Sequence, residues 1–373
     1  MASWAEIDAT AVGEVTSATR VAGLPLVARQ LRQAARLGWS GAIVRVSDAG
    51  RGELERAITS APPPSGFVVE VVGDEVVTGE RALISLDGRA VYALAALRDA
   101  MPGVAPAPAA RAHTLAEARV ADRMLYRSVR KPIEEDGVVA FFVQRPISAL
   151  ITRALIDTKV SANQVTLFVI VLGLVHGAIA ASGGARAAAI AGLIFWFTVV
   201  LDCVDGELAR LRLQSSRLGQ WLDTIADDVT TYGLLVGLGL GLQRDGAGEV
   251  WLLIGVGGAA ASLALKAFLY WDLHRMRLPI DTAEYPWFFG KTSGSAGRTS
   301  LLGRAFYYVE FLLRRDGYAT AVTLLLLFGA RKVATLGLVA GSLLLLPTLL
   351  VHFAVAAWRR RGQAARAGGA RSP

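Results

Sequence analysis

The chain has 373 residues, 53% of them hydrophobic, with a mean hydropathy of +0.45; one soluble core cannot absorb that surplus, so part of the surface must face lipid. A single cysteine, Cys203, excludes an intrachain disulfide and any cysteine-based zinc site. The formal charge is +8 with a pI near 9.9, but the basic residues cluster beside apolar segments, which points to anionic lipid headgroups as partners and away from nucleic acid.

The long apolar runs lie almost entirely beyond residue 160, so the sequence divides into a soluble front part and a membrane part. Residues 1–20 begin MASWAEIDATAVGE, with acids in place of a basic n-region and no apolar stretch. A cleaved secretion signal is therefore not expected, and the N-terminus is expected in the cytosol. The pattern then predicts a helix over Leu26–Leu37, a strand over Gly41–Val46, a helix over 51–60, and strands over 67–72 and 82–86. Alternating strands and helices predict a small α/β cytosolic domain, set at residues 1–110. Pro and Ala in MPGVAPAPAARA, Met101–Ala112, predict a flexible link, and a connector is expected over 111–145.

In RPISALITRALIDTKV, the residues Ile147, Leu150, Ile151, Ala154 and Leu155 fall on one helical face. Such an amphipathic helix suits the headgroup plane of a membrane, and equally a seat against the soluble domain. Ser161 or Asn163 is the expected N-cap of the first span. Six segments are long or apolar enough to be transmembrane helices, at about 163–182, 187–204, 224–243, 249–271, 316–330 and 333–357. The loops after the second and fourth, and the tail WRRRGQAARAGGAR, are rich in Arg and Lys, whereas the other loops carry few. That alternation predicts both termini on the cytosolic side of the cytoplasmic membrane, with a membrane domain over 146–358 and a basic tail over 359–373. Gly233, Gly237 and Gly241 recur every four residues and predict a close helix contact, internal or in a dimer.

The stretch DCVDGELARLRLQSSRLGQWLDTIADD, Asp202 to Asp228, follows the second span directly. Asp202 and Asp205 are three apart, and Asp223 and Asp227 four apart, so each pair shares a helix face. Four carboxylates converging beside hydrocarbon repel unless a cation lies between them. All the ligand atoms are oxygen, which suits a hard divalent ion. Gly206, Ala209 and Gly219 leave room for a flat ligand near the backbone, and Arg210 offers a guanidinium to a phosphate. Metal, room and a phosphate clamp describe a nucleotide diphosphate site. A single aspartate here would mark only where a helix leaves the bilayer; the reading rests on the whole constellation.

Those eight positions fill the template D-x2-D-G-x2-A-R-x8-G-x3-D-x3-D, the signature of the CDP-alcohol phosphotransferases, and the chain resembles that family over roughly residues 137–357. The resemblance implies that Asp202, Asp205, Asp223 and Asp227 hold two divalent metals, normally Mg2+ with Mn2+ as the alternative, and that Asp227 is also the catalytic base. It implies that Gly206, Ala209, Arg210 and Gly219 contact CDP, and that the protein is a homodimer. The implied reaction is attack by an acceptor alcohol on the β-phosphorus of a CDP-alcohol donor, with release of CMP. Asp228 points about 100° away from Asp227 on a helix and stands outside this set. An acceptor carrying a phosphate needs basic partners, and Arg153, Lys291, Arg298, Arg314 and Arg315 are the candidates; topology and lipid headgroups claim the same residues.

The segment AGLPLVAR, Ala22–Arg29, resembles the A-G-x-P-L-x-x-R segment of sugar-phosphate nucleotidyltransferases. EVTSAT stands where those enzymes carry a glycine-rich loop, and Asp87 is the one metal carboxylate retained, which implies a degenerate domain kept for packing or regulation. A domain of this kind ahead of the membrane part resembles the fused inositol-phosphate cytidylyltransferase and di-myo-inositol-phosphate phosphate synthases, as does the connector RMLYRSVRKPIEEDGVVAFFVQRPIS. Inositol phosphate and glycerol phosphate both stay open as acceptors, and the product as lipid or polar phosphodiester. An inactive nucleotide-binding scaffold is the alternative. A cation-binding transporter is another, though its acids would be spread through the bilayer depth. His113, His176, His274 and His352 match no metal spacing and are read as structural.

Overall fold

A computed structural model describes residues 4–11, 14–74, 83–100, 105–131, 133–276, 314–343 and 346. The chain forms two compact units: Met1–Arg130 with Thr152–Val160 and Gly206–Ser215, and Lys131–Ile151 with Ser161–Asp205 and Ser216–Pro373.

The first unit is built on four parallel strands, β1 (Trp4–Asp8), β4 (Gly41–Arg45), β5 (Val68–Val72) and β6 (Leu83–Asp87), in the order β5-β4-β1-β6. Helix α1 (Leu26–Arg36) leads from β1 to β4, and α2 (Asp48–Ser60) leads from β4 to β5. The chain then returns to β6 on the far side of β1, which is the switch of a doubly wound sheet. GAIVR of β4 is buried at four of its five positions, as expected of a parallel strand covered on both faces. Ile7, Val27, Leu31, Val44, Leu54 and Ile84 form the core. Helix α4 (Leu115–Ser128) lies in the stretch read as connector, opened by a capping box of Thr114 and Glu117; T-x-x-E is its sequence mark.

The Ala22–Arg29 segment makes a tight turn. Strands β2 (Arg20–Val21) and β3 (Leu24–Pro25) are joined by Ala22 at φ +46° and Gly23 at φ +77°. Arg29 Nη2 donates to the carbonyls of Val21 (3.0 Å) and Ala22 (3.1 Å), while Asp122 accepts from the Ala22 N–H at 2.8 Å. Burial pulls the Arg29 guanidinium down to about 10, so it stays charged at neutral pH. Its fork is committed to the turn.

The second unit is helical. Helices α7 (Ala162–Ala181), α8 (Ala185–Leu211), α9 (Arg217–Arg244) and α10 (Val250–Arg275) are long and apolar enough to cross a membrane, four among the described residues. Helices α11 (Arg315–Leu327) and α12 (Arg331–Leu343) coincide with the start of the last two predicted spans. Residues 347–373, and the loop holding Lys291 and Arg298, lie outside the described residues. α8 and α9 overrun their apolar stretches, so the aspartate motif is helical apart from the turn at 212–216.

The glycine stripe is an internal seam. A carbon added to Gly177 would stand 2.7 Å from the Gly233 carbonyl oxygen, and one on Gly173 would stand 3.2 Å from Thr230 Cα. The α7 and α9 backbones therefore touch directly. Gly177→Leu is expected to cost about 1–3 kcal/mol or more by overpacking, read as a lower melting temperature in detergent. Gly257→Leu, where nothing lies within 4 Å of an added carbon, should leave it unchanged.

Helix α6 (Arg145–Leu155), the predicted amphipathic helix, follows a single π-helical stretch at Ala140–Gln144. Ser148 and Thr152 are fully buried, whereas Leu150 is 67% and Phe142 64% exposed. Of the predicted apolar face, Leu150 and Ala154 are exposed while Ile147, Ile151 and Leu155 are half-buried.

Candidate metal centre at the signature helices

Ser161, not Asn163, caps α7: its Oγ accepts from Gln164 N at 3.2 Å, and Gln164 Oε1 accepts from Ser161 N at 2.9 Å. One turn on, Thr166 Oγ1 donates to Asp205 Oδ2 at 2.5 Å. Asp205 is 5% exposed, and this hydroxyl partly replaces the water lost on burial.

Asp202 on α8 and Asp223 and Asp227 on α9 form the cluster. One carboxylate oxygen from each lies within 4.8 Å of the others. The i, i+4 spacing on α9 brings Asp223 and Asp227 to the same side as Asp202, as the sequence spacing predicts. Asp205, the fourth acid of the motif, is turned onto Thr166 and is not among these three. Negative charge in the cluster is partly met by Arg315, at the start of α11. Its Nη1 is 3.0 Å from Asp202 Oδ1 and ion-pairs with Asp227, and its Nη2 donates to Thr230 Oγ1 at 3.1 Å. Three acids against one guanidinium leave net negative charge. An all-oxygen donor set of this kind fits a hard divalent cation.

The remaining motif positions are as follows. Gly206, Ala209 and Arg210 occupy the last turns of α8, where a carbon added to Gly206 would meet Arg210 Nη1 at 3.1 Å. Gly219 lies in the first turn of α9, and its N–H is capped by Ser216 Oγ at 3.0 Å. Among the acceptor candidates, Arg315 is on the cluster, Arg314 is half-buried beside it in sequence, and Arg153 stacks 5.1 Å over the Tyr126 ring. Lys291 and Arg298 are outside the described residues.

Three residues near the motif escaped the sequence reading. Lys266 on α10 pairs with Asp228 and stands 5.5 Å over the Tyr232 ring. A lone lysine inside an apolar span was its signal. Glu207, 2% exposed, accepts from Thr152 Oγ1 at 2.7 Å. Arg212 Nη2 donates to the carbonyls of Leu155, Ile156 and Thr158 at 2.8–2.9 Å, and its Nη1 to that of Val160. In the first unit Asp87 binds His113 Nε2 at 2.8 Å, and in the second His176 packs edge-on to Phe195.

The CDP-alcohol phosphatidyltransferase family profile matches residues 159–286, the stretch holding all eight motif positions. Curated relatives named "Bifunctional IPC transferase and DIPP synthase" align with the same chain. That of Thermococcus kodakarensis is 36% identical over 111 residues, 30% of this chain and 24% of its own length. That of Archaeoglobus fulgidus is 34% identical over 114 residues, 31% of this chain and 22% of its own. That of Aquifex aeolicus is 27% identical over 124 residues, 33% of this chain and 28% of its own. The chain thus spans about a quarter of the length of the curated relatives it matches. Over residues 159–286 the chain is thus similar to the CDP-alcohol phosphatidyltransferases, and the three converging carboxylates of its two signature helices lie within that matched stretch.

Proposed function

We propose that the protein is an integral membrane CDP-alcohol phosphotransferase that transfers a substituted phosphate from a CDP-alcohol to an acceptor alcohol and releases CMP. The convergence of Asp202, Asp223 and Asp227 from two helices carries this reading. These three, with Asp205 reorienting from Thr166, would hold two divalent metals, Mg2+ or Mn2+. Bound there, the metals supply charge neutralisation at the diphosphate and at the departing CMP. Asp227 receives the acceptor hydroxyl proton as the oxygen attacks the β-phosphorus. Arg315, within reach of Asp202 and Asp227, would be the cation that meets the acceptor's own phosphate. Gly206, Ala209, Arg210 and Gly219 take the CDP moiety, with small side chains giving the pyrophosphate access to the backbone.

Six spans are proposed, with α11 and α12 opening the fifth and sixth and α6 lying in the headgroup plane, where its exposed Leu150 would meet lipid. The basic loops support a cytosolic side for the motif and both termini. The relatives' printed names support inositol phosphate as acceptor, and glycerol phosphate is the competing choice. Purified protein in detergent with Mg2+ is offered CDP-inositol or CDP-diacylglycerol against each acceptor. CMP from one pair identifies donor and acceptor. Folded, metal-binding protein that releases no CMP from any pair is instead an inactive scaffold, and the reading fails.

A further inference from the structure

The geometry points to the α/β domain as a clamp on the signature turn, with Arg32 and the Leu24–Ala28 surface positioning Ala209 and Arg210. This rests on the reading that those two residues meet CDP.

Every residue from Val21 to Ala34 is buried, four charged or amide side chains among them, although no nucleotide loop precedes this stretch. Within the first unit, segments 206–215 and 152–160 meet it. Arg32 Nη1 donates to the Arg212 carbonyl at 2.6 Å, and its Nε to that of Pro62 at 3.1 Å. Leu213 packs on Leu24, Ala28 and Ala61. A carbon added to Gly23 would stand 2.8 Å from the Ile156 carbonyl oxygen, so glycine is required where the β2–β3 turn meets the end of α6. Arg212 in turn gathers the carbonyls of 155, 156, 158 and 160.

What this holds is the end of α8. Leu213 has φ +53°, the left-handed region, which a branched side chain occupies only where its surroundings over-determine it. With Leu213 there, its N–H reaches the Arg210 carbonyl at 3.2 Å, and Gln214 N–H reaches that of Ala209 at 2.8 Å. The carbonyls of the two CDP-contact positions are therefore capped by a turn whose strained residue packs, half-buried, on Leu24, Ala28 and Ala61 of the α/β domain. The A-G-x-P-L-x-x-R segment has a use without any nucleotide of its own: Arg29 shapes the turn, and the helix it opens presents Arg32 and Ala28 to the signature.

The test compares full-length wild type with Arg32→Gln, Arg32→Lys and Leu213→Ala in detergent with Mg2+. Hydrogen exchange is followed at 206–216 and at β4, and KM and kcat are measured for CDP-inositol, or for CDP-diacylglycerol if that is the donor turned over. Loss of the charge-assisted bond is expected to raise KM about tenfold with kcat nearly constant. Exchange at 206–216 should quicken while β4 stays protected, and Arg32→Lys should recover most of both. Unchanged KM and unchanged exchange at 206–216 overturn the clamp. So does a uniform loss that includes β4 and falls on kcat, which marks Arg32 as mere packing. Exchange needs no substrate: if wild type releases no CMP, the functional reading fails, and local loosening in Arg32→Gln or Leu213→Ala still decides for the clamp, or its absence against it.

Discussion

Asparagine at Asp227 is expected to lower CMP release by a factor of about 10²–10⁴, the range lost with a positioned general base. The expectation follows from its place. Asp227 is one of three carboxylates converging within 4.8 Å, and it also pairs with Arg315. Asparagine keeps the volume and one acceptor oxygen but cannot take a proton from an attacking alcohol, and it removes a negative charge from a site built to collect cations. Two further readouts separate this from unfolding. Saturating Mg2+ should raise the melting temperature of wild type by mass action, and by less in the variant. The α7–α9 seam of Gly173, Gly177 and Gly233 lies elsewhere on α9, so the metal-free melting temperature should stay near that of wild type. CMP release retained near the wild-type rate would remove Asp227 as the base.

How much of this arrangement is legible in sequence depends on the distance between partners. The i, i+3 and i, i+4 spacings of the four aspartates show local geometry, because one helix turn fixes which side chains share a face. α1, β4, β5 and β6 are visible for the same reason: their hydrophobic periods run for five residues or more. β1 is hidden, since WAEID offers only Ala5 and Ile7 as its buried pair, and two-residue strands such as β2 and β3 have no period to read. Arg315 was one of five basic candidates with nothing local to single it out. Its pairing with Asp202 and Asp227 is made by helix packing across 113 and 88 residues of chain. The glycine stripe of α9 announced a close contact, while its partners Gly173 and Gly177 follow only from the fold. In α6 the apolar face was legible, but which way it points depends on what buries Ser148 and Thr152.

The largest stability effect is expected just ahead of α6. Asp136 accepts from Arg145 in a bidentate pair, Oδ2 with Nε at 2.5 Å and Oδ1 with Nη2 at 2.6 Å, and the two side chains are 8% and 6% exposed. Both charges were taken out of water, so removing one strands the other, and Asp136→Ala or Arg145→Ala should each cost about 3–5 kcal/mol. The double change Asp136→Leu with Arg145→Met should recover much of that, because a well-packed apolar pair carries no desolvation penalty. The stretch between the partners shows what the pair maintains. Gly137 sits at φ +96° against the Asp316 carboxylate, where an added carbon would be 2.5 Å from Oδ2, and Asp316 Oδ2 accepts from the Ala140 N–H at 3.1 Å. Asp316 is thus held to the stretch carrying exposed Phe141 and Phe142, while its neighbour Arg315 reaches Asp202 and Asp227. If the ion pair sets that stretch, Asp136→Ala should lower the melting temperature in detergent and speed exchange over 137–144. A loss below about 1 kcal/mol, the value of a solvated surface pair, would mean that the helix packing alone holds it.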